Sequence, residues 1–163
     1  MKRYDGLSEV SLIINNRERR VPVRPGDTLL RTLRETLGMV GSKMGCENGD
    51  CGACTVLVDG KPIKSCITLT LDAVDRSVTT IEGLEDEPIQ QTFLDHYGFQ
   101  CGFCTPGMLL NAHALLETHP DADAETVRCW MESNLCRCTG YEPIEMAIDA
   151  ARERYRREGS RRR

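Results

Sequence analysis

Cys46, Cys51, Cys54 and Cys66 stand at gaps of four, two and eleven residues. This is the plant-type C-x4-C-x2-C…C arrangement that holds a [2Fe–2S] cluster. Three thiols on one tight loop point toward a metal and away from disulfide pairing. A loop that wraps a cluster must also aim backbone N–H groups at its sulfurs. Gly45, Gly49, Gly52, Asn48 and Asp50 are residue types that tolerate the left-handed backbone such a loop needs.

A second set of thiols lies in two pairs, Cys101/Cys104 (C-x2-C) and Cys136/Cys138 (C-x-C). Each pair precedes the start of a predicted helix, where free N–H groups and the positive end of the helix dipole favour thiolate. If those helices run the same way in an antiparallel bundle, their starts lie at one end and the pairs can close one tetrathiolate site. By spacing alone this site suits either an iron–sulfur cluster or a structural zinc. The ninth thiol, Cys129, reads as a small hydrophobe in a helix. His96, His113 and His119 lack ligand spacing and read as surface or boundary residues.

The elements that must position these thiols change character midway. Residues 10–16 and 18–24 read as two strands joined by an Asn15-Asn16 turn. Asp27 is a candidate cap for a helix with Leu29, Leu30, Leu33 and Leu37 on one face, stopped by Gly38. After the first thiol loop come a strand at 55–58, an Asp59-Gly60 turn, a return over 61–65 that delivers Cys66, and a last strand at 77–81. From residue 85 the pattern is helical. Helices are expected at 88–97, at 106–118, after an Asp123 cap with Val127, Trp130 and Met131, and from Pro143 with Ile144, Ala147, Ile148, Ala151 and Tyr155 as its apolar stripe. The expected fold is α+β: an N-terminal plant-ferredoxin-like β-grasp domain (1–84), a linker at about 82–88, a C-terminal four-helix bundle domain (85–158) and a basic tail (159–163).

Composition narrows the function. The chain has 163 residues and a net charge of −4. From Arg152 onward seven arginines against two glutamates give +5, leaving −9 on residues 1–151. So acidic a body, with three Phe, four Tyr and one Trp, lacks the basic, aromatic face that nucleic acid requires. The same acidity is expected to lower the potential of any cluster. Neither a signal peptide nor a membrane span is visible, and reduced, metal-binding cysteines suit the cytoplasm. The sequence carries no convincing phosphate loop or nucleophile constellation.

Four segments together resemble a known family: Gly41-Ser42-Lys43-Met44-Gly45-Cys46, Cys51-Gly52-Ala53-Cys54-Thr55-Val56, Gln100-Cys101-Gly102-Phe103-Cys104-Thr105-Pro106-Gly107-Met108, and Asn134-Leu135-Cys136-Arg137-Cys138-Thr139-Gly140-Tyr141. They are similar, in order and spacing over residues 10–150, to the small iron–sulfur subunit of the molybdenum hydroxylases, the xanthine dehydrogenase, aldehyde oxidoreductase and aerobic carbon monoxide dehydrogenase family. The resemblance implies two [2Fe–2S] clusters and sets the zinc reading aside. It implies that Cys101, Cys104, Cys136 and Cys138 hold the cluster next to a molybdenum–pterin centre on a large partner. Cys46, Cys51, Cys54 and Cys66 then hold the one nearer FAD on a medium partner, in a heterotrimer or a dimer of heterotrimers. It also implies that Gln100 and the pair Arg137-Cys138 approach the pterin, with Gln100 hydrogen-bonded to it. A free-standing two-cluster carrier is the alternative. Ser133 stands where the family usually has glycine, so a left-handed backbone there would be strained.

Overall fold

The computed structural model describes residues 5–161, with side chains described through Arg157. Met1–Tyr4, and Arg162 and Arg163 at the end of the basic tail, lie outside the described residues.

Strands β1 (Ser8–Ile14) and β2 (Arg17–Val23) form an antiparallel hairpin. Its two turn residues, Asn15 and Asn16, both take the left-handed φ, 49° and 61°, that a two-residue turn between right-twisted strands demands. Alternation places Val10, Leu12, Ile14, Val21 and Val23 inside.

The helix that follows departs from expectation at its cap. The Asp27 carboxylate closes the preceding turn, accepting the Arg24 N–H at 2.7 Å, while its own N–H donates to the Arg24 carbonyl at 3.0 Å. With Asp27 committed, Thr28 caps α1 (Leu29–Arg31), its hydroxyl accepting the Arg31 N–H at 3.3 Å. The helix then widens into a π-turn over Thr32–Thr36, with the Leu37 N–H reaching the Thr32 carbonyl at 3.1 Å. Leu29, Leu30 and Leu33 are fully buried, Leu37 only partly.

Strands β3 (Thr55–Val58) and β4 (Lys61–Lys64) pair antiparallel about the Asp59-Gly60 turn. β5 (Ser77–Thr79) ends two residues sooner than expected, because Thr80 turns its N–H to the Asn15 side chain at 2.9 Å and Ile81–Gly83 tightens into a 3₁₀ turn. The sheet order is β2-β1-β5-β3-β4, with β1 and β5 parallel and the other pairs antiparallel.

The helices are α2 (Pro88–Asp95), α3 (Thr105–Thr118), α4 (Ala124–Met131) and α5 (Glu142–Arg161). Glu87 and Gln90 form a reciprocal capping box ahead of α2, which stops short of residue 97 as Tyr97 takes φ 55°. The Asp123 carboxylate accepts the Thr126 N–H at 2.8 Å and caps α4 as expected. Helix α5 begins at Glu142, with Pro143 second, and continues to Arg161, so the first part of the expected tail extends the helix. No helix among the described residues is long and apolar enough to cross a membrane.

The four residues of β3 are all buried because the strand serves two cores. Val56 and Val58 join the cluster under the sheet with Leu12, Leu29 and Leu33. Leu57 joins the helical cluster with Phe93, Leu110, Leu115, Ile144 and Ile148. Leu84, inside the expected linker, is buried in that helical cluster as well. β3 is thus a shared wall, and the first thiol loop runs directly into it.

Candidate metal centres

The first thiol loop spans the distance from Gly38 to β3. Backbone N–H groups of Cys51, Asn48 and Asp50 point at the Cys46 thiol and pull it down to about 7; the Cys51 N–H lies 3.3 Å from Cys46 Sγ. The Ala53 N–H faces Cys51 and the Gly49 N–H faces Cys66, although burial pushes both thiols up, Cys66 to about 12. Glu47, Gly49 and Gly52 are the left-handed residues that turn these N–H groups inward, with φ of 60°, 90° and 71°. Gly45, Asn48 and Asp50 do not use that conformation, contrary to expectation. At Gly45 a Cβ would stand 2.7 Å from Cys51 Sγ, so glycine is required there by closeness to sulfur. Cys54 and Cys66 are buried beside Leu30, whose N–H holds the Ser65 carbonyl at 3.0 Å. Helix α1 thereby anchors the end of β4 that delivers Cys66.

The second set converges as the helix geometry requires. Cys104 stands immediately before α3, and the Cys136–Cys138 turn leads into α5. Cys101 Sγ and Cys138 Sγ lie 3.6 Å apart. Cys104 and Cys136 are in hydrogen-bond contact, and burial pushes Cys104 up to about 12. Burial acts the same way on Cys136, but the Thr139 hydroxyl, 3.2 Å away, and the Thr139 and Cys138 N–H groups outweigh it and hold that thiol low. The Tyr141 hydroxyl accepts the Cys136 N–H at 3.0 Å. Cys101, Cys138, Gln100 and Arg137 are all exposed on one end of the helical half. Ser133 has an ordinary negative φ, so the strain expected of serine there is absent.

The two thiol sets are joined by a junction that sequence reasoning missed. Asn134 is 1% exposed. Its Nδ2 donates to the Gly52 carbonyl at 2.9 Å, and its Oδ1 accepts from Asn111 Nδ2 at 3.0 Å and Ser133 Oγ at 2.9 Å. Next to it the Leu135 N–H donates to the Cys51 carbonyl at 2.9 Å. Cys51 and Cys136 are therefore connected through one hydrogen bond and a few covalent bonds. Lys64 Nζ donates to the Ser133 carbonyl at 2.6 Å. Gly107, in the first turn of α3, lies so close to Gly52 that a Cβ would overlap the Gly52 carbonyl oxygen. A buried asparagine inside a loop carries no periodic signal, so only the packed fold reveals this contact.

Each set thus offers four thiols, the donor type that iron–sulfur clusters take, and each adds N–H groups aimed at its sulfurs. The donors fit such clusters. Residues 12–92 match the family described as "2Fe-2S iron-sulfur cluster binding domain" and residues 80–149 the "[2Fe-2S] binding domain" family. The chain is 44% identical to the nicotine 6-hydroxylase small subunit of Paenarthrobacter nicotinovorans, over 87% of this chain and 88% of that one. It is 42% identical to the nicotinate dehydrogenase small FeS subunit of Eubacterium barkeri, over 89% and 95%. The chain belongs to the small [2Fe–2S] subunit family of the molybdenum hydroxylases. The quinoline 2-oxidoreductase structure from Pseudomonas putida 86 superposes on the iron–sulfur subunit with TM-score 0.89 at 44% identity, covering 94% of it and 98% of the matched chain. An aldehyde oxidoreductase structure from Desulfovibrio gigas superposes with TM-score 0.88 at 38% identity, covering 93% of the subunit but 17% of that longer chain. The iron–sulfur subunit is α+β as expected, and its role is electron transfer within a multi-subunit oxidoreductase.

Other candidate groups of the subunit have structural explanations. Cys129 is exposed, contrary to its reading as a small packed hydrophobe, because α4 buries the side that carries Val127 and Met131. His113 lies near Glu87 and Glu117, within reach of a shared ion. Its Nδ1 instead meets the Tyr155 hydroxyl at 2.8 Å, and that hydroxyl donates to Glu87 Oε2 at 3.2 Å. This strut ties α3 and α5 to the capping box of α2.

Proposed function

We propose that the chain is electrical wiring between two partner subunits, with Cys46, Cys51, Cys54 and Cys66 holding one [2Fe–2S] cluster and Cys101, Cys104, Cys136 and Cys138 holding the other. When bound, each cluster takes up and gives out one electron at a time, which divides a two-electron substrate oxidation into single steps. The observation that carries this reading is the Leu135 N–H to Cys51 carbonyl hydrogen bond, which joins the two thiol sets by a short bonded path. A relay needs that proximity; two unrelated structural sites do not.

The chain's own residues do the positioning. Glu47, Gly49 and Gly52 turn N–H groups toward the first set, Thr139 and Tyr141 orient Cys136, and Asn134 fixes the spacing between the loops. Exposure of Cys101, Cys138 and Gln100 at one end supports docking of that end on a large molybdenum–pterin subunit, with Gln100 hydrogen-bonded to the pterin and Cys138 beside it. Electrons then leave from the first set to FAD on a medium subunit, in a heterotrimer or a dimer of heterotrimers in the cytoplasm. The two cluster-binding units are residues 1–84 and 85–158, followed by the basic tail 159–163. Recognition of the substrate belongs to the molybdenum-bearing partner.

A free-standing two-cluster carrier is the competing reading. Purification of the chain from its native host decides between them. It is expected to bring down one molybdenum-containing and one flavin-containing polypeptide at equal molar amounts. A chain that purifies alone, with both clusters and full electron-carrying capacity, would support the free carrier.

A further inference from the structure

Gly45 leaves a gap in the wall of the first thiol loop. A Cβ there would stand 2.7 Å from Cys51 Sγ, so position 45 cannot carry a side chain that covers this sulfur. The other atoms around the same point are Ala53 Cβ at 3.6 Å and Phe103 Cε1 at 3.7 Å. The alanine methyl is too short to reach across the gap. Phe103 belongs to the other quartet, standing between Cys101 and Cys104, so its ring edge crosses from the second thiol loop to the bare spot over the first. Ala53 is 4% exposed although a glycine lies beside it, which shows that the gap is filled. Phe103 is 46% exposed and is not among the side chains of the helical core, so packing within its own half does not account for the ring's position. The same half of the molecule closes the neighbouring sides of the loop with polar groups. The Leu135 N–H holds the Cys51 carbonyl and Asn134 Nδ2 the Gly52 carbonyl, each at 2.9 Å. Beside Gly45 the cover is apolar, and an aromatic ring displaces water without offering a sulfur a hydrogen bond of its own in the ring plane.

We infer that Phe103 is a water shield that the second thiol loop lends to the first centre, closing the side of Cys51 that Gly45 leaves bare. The inference rests on the relay reading above, in which both quartets hold clusters. Solvent exposure and hydrogen bonds to sulfur are two of the protein's levers on such a centre, and water admitted at Cys51 would move both at once. With the ring in place, the sulfur on this side is left to the fixed N–H donors of the loop, which keep the same geometry in every molecule. Phe103 is a positioning residue: it acts by excluding solvent and ligates nothing.

The test is pulsed electron paramagnetic resonance on the assembled enzyme, exchanged into D2O and reduced with dithionite, for the parent protein and for Phe103→Ala, Phe103→Leu and Phe103→Tyr. Deuterium modulation is read on the two paramagnetic signals separately, and the signal that survives in Cys104→Ser identifies the first centre. Phe103→Ala is expected to deepen the deuterium modulation of that signal at least about twofold, as water enters beside Cys51. Phe103→Leu, whose side chain stops short of the ring's far edge, is expected to deepen it by a smaller factor. Phe103→Tyr keeps the ring and is expected to match the parent. Iron analysis shows whether alanine unsettles the Cys101–Cys104 loop; if it does, leucine decides. An unchanged first-centre modulation in the deciding variant, or a rise in Phe103→Tyr as large as in Phe103→Ala, overturns the inference. A parent protein showing only one signal contradicts the relay reading itself, which keeps the two failures apart.

Discussion

Cys104→Ser is expected to remove one of two iron–sulfur signals from the purified protein, to reduce its iron by about half, and to slow electron delivery from substrate to flavin at least about 100-fold. Cys104 stands at the N-cap position of α3 and contacts Cys136 across the second thiol set, and burial pushes its thiol up to about 12. Such a thiol gives up its proton when metal binds, and serine offers a harder, more basic oxygen that holds iron poorly. The first set lies beyond the Asn134 junction and keeps its own donors, so its signal is expected to persist unchanged. Cys129→Ser, on the exposed side of α4, is the control and leaves both signals at full intensity. Iron analysis with low-temperature electron paramagnetic resonance on the three proteins reads the outcome directly. Two intact signals in Cys104→Ser would remove that thiol from the second centre.

Gly107→Ala is expected to lower the melting temperature by roughly 4–8 °C. In an ordinary helix this substitution stabilises, by up to about 1 kcal/mol, because alanine is the better helix former. Here the added Cβ overlaps the backbone carbonyl of Gly52 and comes within 3.2 Å of Asn134 Nδ2. The first is backbone, and the buried Asn134 amide is held by its hydrogen bonds to Gly52 and Asn111, so neither can swing away and α3 must move from the first thiol loop. Overpacking of that kind costs about 3 kcal/mol, which outweighs the helix gain and leaves a net loss of about 2 kcal/mol. Gly26→Ala, where a Cβ meets open space, is expected to change stability by less than about 0.5 kcal/mol. Calorimetry on the two variants compares them. A Gly107→Ala protein that melts at or above the parent temperature would show that α3 and the first loop are not in close register.

Much of this fold is written locally in the sequence. The Asn15-Asn16 and Asp59-Gly60 turns, the leucines of α1, the Asp123 cap and the thiol spacings all act over a few residues, and each is found where its local chemistry puts it. The misreadings arise where two partners compete for one group. Asp27 can cap a helix or close a turn, and the preceding Pro25-Gly26 bend brings it to the Arg24 N–H, leaving the cap to Thr28. Glu47 adopts the left-handed backbone that Asn48 and Asp50 were expected to take, because the loop turns where the N–H groups must face Cys46 and not where residue preference is strongest. Other features are contacts between distant segments and have no local trace. Asn134 meets Gly52, Lys64 meets Ser133, and Gly107 meets Gly52 only after the helical half packs on β3. Those three contacts set the distance between the thiol loops, so the thiols themselves were legible while the coupling between them was not.

The most direct measurement is the paramagnetic spectrum of the intact protein after full reduction with dithionite, with spins counted against iron and sulfide. Two distinct [2Fe–2S] species, integrating to about two spins per chain, are expected from two separate thiol quartets. A single species, or a colourless protein carrying zinc, would contradict the assignment of electron relay to this chain.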